Sequence, residues 1–87
     1  MKLKYVRLQQ YDQIIIFPET LQHSTFKNLN PISAGFCHVN TSRKMVDCYG
    51  ESTSLMLSSA KDDTYLATKQ VFGIDRALEL RSITSNL

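Results

Sequence analysis

Eighty-seven residues suffice for one hydrophobic core and are too few for two, so a single domain is expected over residues 1–82, followed by a frayed tail at 83–87. An apolar share of 43% excludes a disordered chain, and no apolar run approaches the ~20 residues that a membrane-spanning helix needs. The net charge of +2, with ten basic and eight acidic residues intermixed, lacks the clustered basic face usual in nucleic-acid binders.

Leu3 to Leu8 reads as a first strand, and Gln9-Gln10-Tyr11-Asp12 as a polar turn. Gln13-Ile14-Ile15-Ile16-Phe17 is the strongest strand signal. A continuous β-branched run stopped by Pro18 predicts a central strand covered on both faces. Glu19 to Asn30 admits two readings. One is a helical turn capped by Ser24 with Phe26 and Leu29 inward; the other is a packed loop anchored by Leu21 and Phe26. Ile32 to Val39 alternates, with Ile32, Ala34, Phe36 and His38 on one face and Ser33, Gly35, Cys37 and Val39 on the other. Asn40-Thr41-Ser42-Arg43 is a hairpin connection returning into Lys44–Tyr49, which Gly50 ends or bulges. Thr53 to Leu57 can supply a fifth strand.

From Ser58 the pattern turns helical. Asp62 or Asp63 caps a helix running to Phe72, with Leu66, Ala67, Val71 and Ile74 as its apolar stripe and Gly73 as its C-terminal cap. Asp75 to Arg81 can open a further short helix with Ala77 and Leu78 inward. The expected architecture is therefore α+β: an antiparallel sheet of four to five strands followed by one packed C-terminal helix.

Three constellations invite a chemical reading. His23, Cys37, His38 and Cys48 include metal-ligating types, but adjacent Cys37 and His38 point to opposite faces of a strand, whereas zinc needs convergent pairs. His38 with Asp47, Glu51 or Ser52 can be drawn as a nucleophile–base pair. Gly50-Glu51-Ser52-Thr53-Ser54 echoes GxSxG without the closing glycine or the strand–turn–helix context. Lys2, Lys4 and Arg7 with Tyr5 can be drawn as a basic, base-stacking strand face, against the simpler reading of solvating charge on an edge strand. No cofactor, metal or catalytic residue is assigned. The first residues contain no secretory apolar core, so a cytoplasmic setting with Cys37 and Cys48 as free thiols is expected.

At Ile14-Ile15-Ile16-Phe17-Pro18, Ser33-Ala34-Gly35-Phe36, Cys48-Tyr49-Gly50-Glu51-Ser52 and Ser54-Leu55 the chain resembles small uncharacterised proteins of bacteriophages and prophages. The resemblance implies an accessory role in a bacterial cytoplasm and brings no activity with it. Independently of it, Gly35 and Gly50 read as places of close chain approach or a bulge. The expected function is a non-enzymatic interaction or modulator protein acting on a protein partner. Its contact would centre on the hairpin: Phe36, His38, Arg43, Lys44, Tyr49 and Glu51. The alternative is an accessory nucleic-acid binder using Lys2, Lys4 and Arg7, with Arg43 and Lys44, and Tyr5 or Tyr49 as the stacking ring. Unpaired sheet edges also allow a homodimer.

Overall fold

β1 (Lys2–Leu8) runs through the middle of the molecule, with Tyr5 and Val6 fully buried on its two faces. The computed structural model describes the backbone of residues 2–85 and the side chains of residues 2–81. β2 (Ile14–Pro18) and β3 (Pro31–Asn40) pair antiparallel with the two sides of β1, and β4 (Met45–Tyr49) pairs with β3. The strand order is β2-β1-β3-β4. A separate hairpin, β5 (Glu51–Ser52) and β6 (Leu57–Ser58), follows, and then the helices α1 (Asp63–Phe72) and α2 (Ile74–Ser85).

The α+β architecture matches the sequence expectation, with differences that have physical causes. The Ile14–Phe17 run is covered on both faces, yet β2 is an edge strand. Ile14 and Ile16 pack into the core beneath α1, while Ile15 and Phe17 pack into a second core on the other face. An apolar run reports coverage of faces, not the number of neighbouring strands. The exposed backbone edge that follows is answered by α1: the Gln70 amide accepts from the Ile14 N–H at 3.0 Å and donates to its carbonyl at 2.6 Å. Conversely, β1 is interior rather than an edge.

Thr53–Met56 forms the turn between β5 and β6 instead of strand. The Ser52 hydroxyl accepts the Leu55 N–H at 3.3 Å across that turn. The segment after β2 is a 3₁₀ turn over His23–Leu29, preceded by Gln22 rather than capped by Ser24. It carries Phe26 against Phe17 with ring centroids 4.6 Å apart, but leaves Leu21 and Leu29 exposed.

The loop after β3 is organised by Asn40, whose Oδ1 accepts from the Ser42 hydroxyl and from the Arg43 N–H. This sets the register Val39↔Val46, Cys37↔Cys48 and Phe36↔Tyr49. The alternation read for β3 holds in the sheet. Gly35 marks a close approach, since a Cβ there would lie 2.4 Å from the Tyr49 carbonyl oxygen.

α1 buries Asp63, Ala67 and Thr68, and Leu66 packs on the core, while Val71 and Ile74 of the expected inward stripe are substantially exposed, as is Leu78, expected inward on the following helix. Beside Leu66, Ala67 and Phe72, which pack on the core, the inward face carries threonines that complete the edge of β4. The Thr68 hydroxyl accepts the Val46 N–H and the Thr64 hydroxyl accepts the Cys48 N–H, both at 3.0 Å. Gly73 ends α1 at φ 103° with its N–H on the Lys69 carbonyl, and α2 follows at once. α2 packs on α1 with Ala77 buried and continues past Arg81 to Ser85, where fraying was expected; residues 86 and 87 lie outside those described. Among the described residues no helix is long and apolar enough to cross a membrane.

Candidate interaction face

The sheet face away from α1 is only partly covered. The 3₁₀ turn and the β5–β6 hairpin close over Val6, Leu8, Phe17 and Ala34. Beyond them, strand alternation puts Lys2 and Lys4 of β1, Phe36 and His38 of β3, and Asp47 and Tyr49 of β4 on the same face. Five rings form a continuous ladder across this face, from the buried side outward. Phe26 meets Phe17 at 4.6 Å, Phe17 meets His23 edge-on at 5.5 Å, His23 meets Phe36 edge-on at 5.8 Å, and Phe36 stacks on Tyr49 at 6.1 Å.

His23 is the buried pivot of the ladder. Its Nε2 lies 2.7 Å from the Gly35 carbonyl oxygen, an acceptor only, so Nε2 carries the proton and donates it. Fixing this ring fixes the face that Phe36 leans on. The outer end of the ladder is open: Tyr49 is 45% exposed, and the Lys2 ammonium sits over the Phe36 ring, 4.2 Å from its centroid. A shallow polar cleft of about 300 Å³ adjoins, lined by Lys4, His23, Phe36, Glu51 and Ser52. Lys4 is tethered at its rim by donating to the Leu21 carbonyl at 2.7 Å.

The chain matches no protein-family model, and neither a curated protein nor a solved structure matches it.

The opposite face holds a buried polar cluster. Asp63 is fully buried, and its carboxylate accepts from the Tyr5 hydroxyl, from Arg7 Nη1 at 3.0 Å and from the Ala60 N–H at 2.8 Å. Arg7 also pairs with Asp12 at 2.8 Å. Burial, and then the bond to Asp63, push the Tyr5 hydroxyl far above its ordinary range, so it stays a neutral donor. Burial works to lower the Arg7 pKa, but its bonds to Asp12 and Asp63 outweigh that and raise it. The cluster fastens the start of α1 to the sheet.

The predicted site residues therefore separate. Phe36, His38 and Tyr49 share one face, and Glu51 borders it through the cleft. Arg43 and Lys44 lie at the far end of the hairpin, where the Arg76 guanidinium binds both of their carbonyl oxygens. Lys2 and Lys4 join Phe36 and Tyr49. Tyr5 and Arg7 do not, because their parity on β1 turns them inward to Asp63; a base-stacking role for Tyr5 is corrected by its complete burial. The metal-ligating types are split as well: Cys37 and Cys48 lie under α1, and His23 and His38 on the other face. Among the described residues no group of three or more His, Cys, Asp or Glu side chains is placed to hold a metal ion. His23 reads in the sequence only as a metal-ligating type, because its place in the ladder comes from contacts with strands remote from it in the chain.

Proposed function

We propose that this domain is a non-enzymatic interaction protein that engages a protein partner through the face carrying Lys2, Phe36, His38 and Tyr49, with Glu51 at its border. The observation that carries this reading is the half-exposed Phe36–Tyr49 stack held from behind by His23. Rigid, partly exposed aromatic side chains lose little entropy on binding and are over-represented among residues that dominate interface energies. The surrounding charge is mixed, with Lys2 and Lys4 beside Asp47 and Glu51, which suits a protein surface better than a polyanion. The phage-protein resemblance fits a modulator of a bacterial or phage protein, and a second copy of this chain is one form the partner can take.

The test is affinity capture from bacterial lysate with the wild type, Tyr49→Ala and Lys2→Glu as baits; both positions are exposed, so the fold is retained. The expected result is a discrete protein recovered by the wild type and lost or at least tenfold reduced with either variant. Equal recovery by all three baits contradicts the reading.

A second reading rests on the Lys2–Phe36–Tyr49 arrangement, since a cation over stacked rings is also a platform for an unpaired base. With Arg7 turned to Asp63 and Arg43 and Lys44 at the far end of the hairpin, only Lys2 and Lys4 of its basic set lie beside the rings. It requires single-strand binding that weakens steeply with salt.

A further inference from the structure

Cys37 and Cys48 lie directly opposite each other on β3 and β4, on the face beneath α1. The Cys48 N–H is turned away from β3 to the Thr64 hydroxyl at 3.0 Å, and the Val46 N–H likewise to Thr68. The two cysteines therefore form a non-hydrogen-bonded antiparallel pair, the kind whose Cα atoms stand about 4.5 Å apart with side chains closest together. That separation falls within the range of about 4.4–6.8 Å that a disulfide spans without backbone movement. Both are free thiols in the structure.

We propose that this pair is an oxidative modification site, at which a small-molecule disulfide of the glutathione type closes an intramolecular Cys37–Cys48 bond. Exposure sets the order of events, because Cys37 is sealed at 0% while Cys48 is only partly buried. Cys48 Sγ, as thiolate, attacks one sulfur of the reagent; the other sulfur leaves and takes up a proton. Cys37 Sγ, as thiolate, then attacks Cys48 Sγ, breaking the mixed disulfide and releasing the second small thiol. Two protein thiols are oxidised, one reagent disulfide is reduced to two thiols, and the two cysteine protons end on those thiols.

Burial pushes Cys37 up to about 11 and Cys48 higher still. The reaction is therefore slow at neutral pH and accelerates as pH rises. Neither thiolate is stabilised, so the reduced form gains none of the advantage that makes catalytic disulfides strongly oxidising, and the bond persists once formed. It would tie β3 to β4 one residue pair from Phe36 and Tyr49, on the opposite face of the sheet.

The test is exposure of the folded chain to oxidised glutathione at neutral and mildly alkaline pH, followed by intact mass and non-reducing tryptic mapping. The expected product has lost two hydrogens, carries no adduct, and links the peptides spanning residues 28–43 and 45–61. Cys37→Ala should stall as a glutathione adduct on Cys48. A stable adduct on the wild type, links only between chains, or no modification of the folded chain while the denatured chain reacts would each overturn the proposal.

Discussion

Tyr5 and Asp63 show how much one side chain's environment decides here. A tyrosine in a lysine-bearing strand reads as a surface aromatic, but it sits one residue out of phase with Lys4 and points beneath α1. There its hydroxyl meets a carboxylate that also holds Arg7 and the Ala60 N–H. A fully buried carboxylate is tolerable only with such partners, and removing one of them typically costs about 3–5 kcal/mol. The same burial makes a pH prediction. Tyr5 is raised from its ordinary 10.0, and the two cysteines are raised from 9.0. Unfolding returns each group to its ordinary value. Above about pH 9 the unfolded chain then holds fewer protons than the folded one, and stability falls as pH rises, by up to about 1.4 kcal/mol per pH unit for each group in its window. Below that window these three groups are protonated in both states and contribute no slope. Urea midpoints at pH 8 and pH 10.5 check this: the midpoint is expected to drop at the higher pH, and an unchanged or higher value contradicts it.

At the level of elements, α1 works as a cover for both sheet edges as well as a core helix. Thr64 and Thr68 take the outward N–H groups of β4, and Gln70 takes the outward N–H and carbonyl of Ile14 in β2. Gln70→Ala should leave the fold intact, cost about 1–3 kcal/mol through the unpaired Ile14 groups, and speed hydrogen exchange at the Ile14 amide. Exchange at Ile14 unchanged in that variant would show that the contact does not protect the edge. This covering role also explains which elements were legible. The first four strands and the hairpin connection could be read because β-prone runs, alternation and a short polar connection are local signals. The inward face of α1 could be read only in part: Leu66 and Ala67 pack on the core as their spacing indicates, whereas Val71 and Ile74 stay exposed because Thr64 and Thr68 turn inward to remote backbone groups. The central position given to β2 failed for the same reason, since its coverage comes from two layers lying over an edge.

At the scale of the whole molecule, the sheet divides the protein into a helix-covered side and an open side. The covered side carries α1, the Asp63 cluster and the cysteine pair; the open side carries the aromatic ladder and its half-exposed end. Phe36 and His38 share a face by alternation alone; Tyr49 joins them only through the hairpin register Phe36↔Tyr49, which a one-residue slip would invert and which the loop length does not fix. That Tyr5 and Arg7 point away from Lys2 and Lys4 follows from parity on β1; that Lys2 lies beside Phe36 depends on β1 pairing with β3, a long-range pairing no local pattern encodes. The central claim is that this open face meets a protein. Its most direct test is photo-crosslinking in bacterial cells, with a photoreactive residue at Tyr49 and, as a control on the helical side, at Lys69. Crosslinking to a discrete protein from position 49 and not from position 69 is the predicted result. Equal labelling from both positions, or crosslinks from position 49 to nucleic acid alone, would contradict it.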